Sequence, residues 1–181
     1  MKSKTTKIKT TKRKTKKNKT DAEIIVELGI KTFWESHGHS ASKEDVEDFV
    51  SKAYTPEIIQ EELSNPNYIY HIVYYDQIPV GFFLRQLFTP HPQMKDEHLT
   101  KLDRIYVLKD YYGKGLGKAL FNFIVDYSKI NKQIGIWLFV WIENHRAVQF
   151  YKSSGFQNVG SHDYRISATH SNPNHIMLLQ Y

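Results

Sequence analysis

Hydrophobic and polar positions recur along this chain in two periods, and the changes between them mark its elements. From Asp21 to Glu35 the spacing is helical, with Ile24, Ile25, Leu28 and then Phe33 or Trp34 roughly on one side and Thr20 or Asp21 as the cap. Ser36-His37-Gly38-His39-Ser40 breaks the pattern and reads as a solvated loop; no third ligand supports its two histidines, so no metal site is predicted. Ser42-Lys43-Glu44-Asp45 caps a second helix reaching Ala53, and Thr55-Pro56 opens a third that runs to Leu63 and ends at Asn65-Pro66-Asn67. The period then shortens. Tyr68 to Tyr75, a turn at Asp76-Gln77, and Val80 to Leu87 predict a hairpin, and the aperiodic stretch Phe88 to Glu97 is a loop.

The second half alternates strand and helix. Leu102, Ile105, Tyr106 and Val107 mark a strand, and Ala119 to Lys129 a helix. Ile134 to Ile142, apolar except for Gly135, is long enough for a buried central strand. Asn144 caps a short helix with Ala147, Val148 and Tyr151 on one face, and Gly155 suits its C′ position. Phe156 to Ile166 and His175 to Tyr181 read as a closing antiparallel pair, joined by a polar loop from Ser167 to Asn174. This order predicts a mixed α/β domain in three layers.

Composition changes that picture in three places. At 181 residues, with twelve Tyr and ten Phe, the chain can build one sizeable core. The absence of cysteine excludes disulfides and thiol chemistry and fits a reducing, cytoplasmic compartment. No apolar run approaches a membrane span, and the lysine-rich start lacks the apolar core of a signal peptide, so no membrane partner is expected. The formal charge of +6 is a property of one end. Residues 1–20 hold ten of the twenty-five basic residues and no acid, leaving fifteen basic against nineteen acidic residues elsewhere, a net −4. This Lys/Thr tail, residues 1–20, reads as a solvated extension, as a nucleic-acid or anionic-surface contact, as a nuclear signal at Lys12 to Lys17, or as the site of a first strand within Ile8 to Lys14. Residues 21–181 form the domain proper.

Chemistry concentrates after the strand at Tyr106. Tyr112-Gly113-Lys114-Gly115-Leu116-Gly117-Lys118 places three glycines, two apart, at a helix start, where free N–H groups and the helix dipole favour an anion such as a pyrophosphate. It is neither a P-loop nor a dinucleotide fingerprint. One strand later comes Asn144-x-x-Ala147-x-x-Phe150-Tyr151-x-x-x-Gly155-Phe156. Together, in this order and separation, the two motifs resemble those of the GNAT superfamily of acetyl-CoA-dependent N-acetyltransferases, with Tyr112 standing where that family often has Gln or Arg. Short runs at Lys31-Thr32-Phe33, Glu61 to Asn65, Arg104-Ile105-Tyr106 and Ile136-Trp137-Leu138 are similar to the bacterial spermidine/spermine N-acetyltransferase branch.

The resemblance implies an α/β GNAT fold, a mixed central sheet of about six or seven strands flanked by helices. It also implies acetyl transfer from acetyl-CoA to a primary amine by direct attack in a ternary complex. Backbone amides of Ile105, Tyr106 and Val107 would receive the acetyl carbonyl and pantetheine, and Tyr112, Gly113, Lys114, Gly115, Leu116, Gly117 and Lys118 would hold the pyrophosphate. Asn144 and Ala147 would border the cofactor, although Asn144 serves equally as a plain N-cap. Tyr151 matches the family's general acid. Lys101 stands where a glutamate base is often found and cannot act as one when charged. Asp103, on the same strand face, is the candidate base, against a water chain with no single base. The branch and the acidic body favour a cationic acceptor such as spermidine or spermine, with Glu35, Glu44 and Asp45 as candidate contacts or as an ordinary solvated face. A peptide acceptor, either an N-terminus or a lysine, and an aminated drug stay open, as does a non-catalytic module that binds CoA or, through its tail, nucleic acid. The oligomeric state is open too, a homodimer included.

Overall fold

A computed structural model of the chain describes residues 6–10, 20–91, 93–94 and 96–181. Its elements in order are β1 (Thr6–Thr10), α1 (Asp21–His37), α2 (Lys43–Ala53), α3 (Pro56–Ser64), β2 (Ile69–Tyr75), β3 (Ile78–Gln86) and β4 (Leu99–Val107). A 3-10 turn at Lys109–Tyr111 leads to α4 (Leu116–Ile130), β5 (Gly135–Trp141), α5 (His145–Ser153), β6 (Gln157–Arg165) and β7 (Ser171–Gln180). The strands form one mixed sheet of seven in the order β1-β2-β3-β4-β5-β7-β6. Only β4 and β5 pair in parallel.

Local chemistry accounts for the element ends. Thr20 and Glu23 form a reciprocal capping box on α1, Thr20 Oγ1 accepting from the Glu23 N–H and Glu23 Oε2 from the Thr20 N–H. Ser42 caps α2 through the Asp45 N–H, and Pro56 opens α3. The β2–β3 turn places Asp76 and Gln77 at φ 53° and 67°, the left-handed pair that a two-residue hairpin needs.

Strand alternation divides the core between the two faces. Tyr70, Ile72, Phe82 and Leu84 bury against α1, α2 and α3, while Val73, Phe83, Leu102 and Ile136 bury against α4 and α5. The result is the expected three-layer α/β domain with helices on both faces of the sheet.

Three expectations change. First, α1 runs to His37 rather than stopping at Glu35, because Phe33 and His37 stack one turn apart at 4.9 Å. His37 is therefore helical and half-buried, while Gly38 to Ser40 form the expected turn and His39 stays exposed; both rings lie beside Trp141, at 5.6 and 5.1 Å between ring centres. Second, β7 begins at Ser171, inside the predicted polar loop, since Asn172 and Asn174 are buried and pair with β6 as the strand inserts between β5 and β6. Third, the first strand that the tail was read as able to hold within Ile8 to Lys14 is present but begins earlier: Thr6–Thr10 pairs antiparallel with His71–Tyr75, and Lys9 makes an ion pair with Asp21. The proposed nuclear signal, Lys12 to Lys17, lies outside the described residues.

Candidate active site

The site follows from how two central strands part. β4 and β5 are in register only over Leu99–Lys101 and Gly135–Trp137. Beyond Lys101 they diverge, and the β4 edge facing β5 lacks a strand partner from Asp103 to Val107. Its other edge stays paired with β3, with one irregularity. Leu84 faces Arg104 and Arg85 faces Leu102, so Asp103 is an extra residue, a β-bulge. The bulge turns Lys101, Asp103 and Arg104 all toward the α1–α3 layer, whereas strict alternation would send Arg104 to the other face. Arg104 there makes a two-pronged ion pair with Glu62 of α3 at 2.8 and 2.9 Å and donates to the Tyr70 hydroxyl at 2.6 Å. Asp103 pairs with Lys101 through one carboxylate oxygen and lies 3.8 Å from Arg104 Nε through the other. Any further cation at Asp103 must compete with both.

A cavity of about 340 Å³ fills the parting of the strands. Asp103, Ile105, Tyr106, Asn144, Ala147 and Tyr151 border it, which brings together six residues that lie scattered between positions 103 and 151 of the sequence. One wall of the cavity is aromatic, formed by Phe33, Phe49, Tyr54, Phe139, Trp141 and Tyr164. Among its lining residues Asp103 is the one carboxylate. Glu35, Glu44 and Asp45 do not line it. Glu35 accepts the Lys109 N–H at 2.7 Å, and Asp45 binds Ser42 at the start of α2.

Tyr151 reaches the cavity from α5 and is 6 % exposed. Burial, with a smaller contribution from Tyr106, pushes its phenol well above the usual range, so it is held protonated and able to donate. Asn144 begins α5, its side-chain oxygen accepting the Ala147 N–H at 3.2 Å.

The glycine loop lies at the end of β4. Gly113 and Gly115 have φ of 74° and 77°, conformations that favour glycine. Gly115 is the N-cap of α4 with no side-chain capping bond, and Ala119 N–H to Gly115 carbonyl is the first helical bond. The N–H groups of Leu116, Gly117 and Lys118 therefore precede the helical ladder. A Cβ built on Gly113 or Gly115 would meet no protein atom within 4 Å, so the space over the loop is open. That geometry suits a phosphate-bearing ligand. Lys114 folds back to donate to the Asp110 carbonyl at 2.7 Å. Tyr112 has Arg146 of α5 stacked 3.3 Å over its ring, which brings a guanidinium to the place where the family often carries Gln or Arg.

His37 lines the cavity although its sequence context read as a solvated loop, and Arg146, over Tyr112, is a cation that the sequence analysis did not single out. Arg146 lies inside the Asn144-x-x-Ala147 motif, where its charge was the available signal. For His37 the signal was its spacing of four from Phe33. Among the described residues no group of three or more metal-ligating side chains occurs, and no helix is long and apolar enough to cross a membrane.

Two central strands that pair in parallel and then part, each followed by a helix, are the arrangement implied by the resemblance to acetyl-CoA-dependent N-acetyltransferases. The chain belongs to the acetyltransferase (GNAT) family, whose sequence profile matches residues 31–156. An uncharacterized N-acetyltransferase of Lactobacillus delbrueckii subsp. lactis is 25% identical over 142 residues, which is 78% of this chain and 82% of that protein. The spermine/spermidine N(1)-acetyltransferase of Bacillus subtilis (strain 168) is 30% identical over 93 residues, 51% of this chain and 61% of that one. In structure, the PaiA N-acetyltransferase of Thermoplasma acidophilum in complex with coenzyme A matches with a TM-score of 0.74 at 20% identity, over 98% of this chain and 99% of that chain. At that identity the likeness concerns the fold.

Proposed function

We propose that the acceptor is a cationic alkyl amine, a polyamine such as spermidine or spermine. The observation that carries this reading is the aromatic-walled acceptor end of the cavity with the Asp103 carboxylate beside it. Aromatic faces attract an ammonium by about 0.5–2 kcal/mol each, most when water is excluded, and a single carboxylate adds direction. The partial similarity to the Bacillus subtilis spermine/spermidine enzyme points the same way.

Acetyl-CoA supplies the activated acetyl thioester. The N–H groups opening α4, together with Gly113 to Lys118, hold its phosphates, and Arg146 adds positive charge beside Tyr112. The unpaired edge from Ile105 to Val107 binds the acetyl and pantetheine portion as a further strand would. Tyr151 gives a proton to the departing sulfur, and Asp103 holds the acceptor's charge. The amine attacks directly, with no acyl-enzyme.

A second reading, acetylation of a peptide, is favoured by the cavity's neighbour. An open groove bordered by Asp48, Lys52, Arg165 and Ala168 shares Phe49, Ala53 and Ile166 with it, giving room for a longer acceptor. The test is thiol release from acetyl-CoA with spermidine, spermine, a lysine peptide and a free-N-terminus peptide side by side. Turnover with the polyamines is expected. Turnover with peptides alone overturns the polyamine reading.

A further inference from the structure

The amine needs a partner on its own side of the cavity, and His37 stands there. Its ring lies 6.2 Å from Tyr106 of β4, edge-on at 82°, and 5.6 Å from Trp141 of β5. It therefore lines the cavity beside both parted strands, on the α1 side, where it stacks on Phe33. Tyr151 reaches the same cavity from the opposite layer, packed with Val140 and Val148. A phenol and an imidazole thus flank the gap from the two faces of the sheet. Direct attack needs this division, with a proton donor at the departing sulfur and a proton acceptor at the incoming nitrogen.

The imidazole's hydrogen bonds select its tautomer. Ser36 Oγ lies 2.7 Å from the Thr32 carbonyl and 2.7 Å from His37 Nδ1. A hydroxyl has one proton, and the carbonyl can only accept it. Ser36 Oγ must then accept from Nδ1–H, which leaves the lone pair on Nε2, across the ring. Burial, and then the neighbouring His39, lower the imidazole's pKa to about 4, so it stays neutral and does not repel a cationic acceptor.

We propose that His37 is a catalytic residue of the amine side: Nε2 accepts the N–H of the bound, deprotonated amine, aims its lone pair, and takes the proton that nitrogen sheds as the N–C bond forms. Ser36 is the positioning residue that holds the tautomer. The proposal rests on the amine-acceptor reading above. The ammonium first loses one proton to solvent. Its nitrogen then bonds the thioester carbon and passes a second proton to Nε2, the C–S bond breaks, and the sulfur takes the Tyr151 proton. The proton on Nε2 returns through solvent to the phenolate, so one proton is released per acetyl group transferred.

The test uses the full chain and the most active amine from the acceptor panel, with kcat and KM measured for both substrates in His37→Ala, His37→Gln and Ser36→Ala. His37→Ala is expected to lower kcat/KM for the amine by about a hundredfold, with KM for acetyl-CoA within about twofold of the original. Added imidazole restores part of the rate, a recovery that a purely structural role would not give. His37→Gln can accept an N–H through its carbonyl but cannot take the proton, so it keeps the amine KM and loses kcat. Ser36→Ala shows a smaller loss. Thermal melts of each variant report folding. Folded His37→Ala and His37→Gln proteins with kcat/KM within twofold of the original overturn this proposal alone, as does a loss that imidazole leaves untouched in both. No turnover of any amine by the unaltered protein overturns the amine reading, and this assignment with it.

Discussion

Replacing Gly115 by valine separates the two demands on the glycine loop, backbone conformation and room for a ligand. Gly115 has φ +77° at the start of α4. An L-residue there costs roughly 1–2 kcal/mol, and a β-branched one somewhat more. No protein atom lies within 4 Å of the added Cβ, so no packing is disturbed and the strain is the main folding cost. For a domain of this length that cost lowers Tm by about 2–8 °C. The same open space is where the phosphates are proposed to meet the N–H groups of α4. Losing one charge-assisted hydrogen bond there, worth about 1.5–3 kcal/mol, weakens acetyl-CoA binding by roughly ten- to a hundredfold. Titration calorimetry with acetyl-CoA and a thermal melt on the same sample measure both effects. Gly117→Ala is the folding control. Its Cβ would lie 3.6 Å from the Phe150 ring, an ordinary contact within a helix, so stability is expected to hold or rise by up to ~1 kcal/mol. A folded Gly115→Val protein with unaltered affinity refutes the placement of the phosphates. One as stable as the original refutes the strain argument.

Tyr151→Phe is expected to lower kcat by roughly a hundredfold while leaving acetyl-CoA affinity unchanged, since it removes a proton donor and keeps the ring; steady-state kinetics beside calorimetry decide, and unchanged turnover removes Tyr151 from the mechanism. Stability should fall as pH drops. Burial first, then neighbouring His39 and Arg85 respectively, lower the pKa of His37 to about 4 and of His71 to about 3, from 6.5. Below pH 6.5 the unfolded chain takes up protons that the folded one refuses, so this contribution is complete above pH 6.5 and is lost below it, by up to ~2 kcal/mol per histidine at pH 5. Equal urea midpoints at pH 7.5 and pH 5 would contradict that. Glu62→Ala removes both prongs of the Arg104 ion pair and leaves a guanidinium only 19 % exposed. A loss of about 3 kcal/mol follows, or about 6–12 °C in Tm; a shift under a degree or two would show that Tyr70 and Asp103 suffice for Arg104.

Much of this molecule was legible in its sequence because the signals were local. Helical spacing with Thr20, Ser42 and Pro56 at the starts located α1, α2 and α3. Gly155, at φ 93°, ends α5 as a C′ glycine should. The glycine run before α4 and the Asn144-to-Phe156 pattern pointed to the family, because each motif's backbone demands are met within a few residues. What stayed hidden depended on partners far along the chain. The strand at Ser171 looked like a polar loop, since Asn172 and Asn174 are buried only where β7 enters between β5 and β6. The face of Arg104 is decided by a bulge, and a one-residue slip in pairing cannot be seen in a period-two pattern. His37 read as solvated because its ring partners beyond Phe33 come from β4 and β5, about seventy and a hundred residues onward. Local propensity and capping act over a turn of chain and determine which elements form. The parting of β4 from β5, and the meeting of His37, Asp103 and Tyr151 around it, depend on how those elements pack, which only the tertiary structure decides.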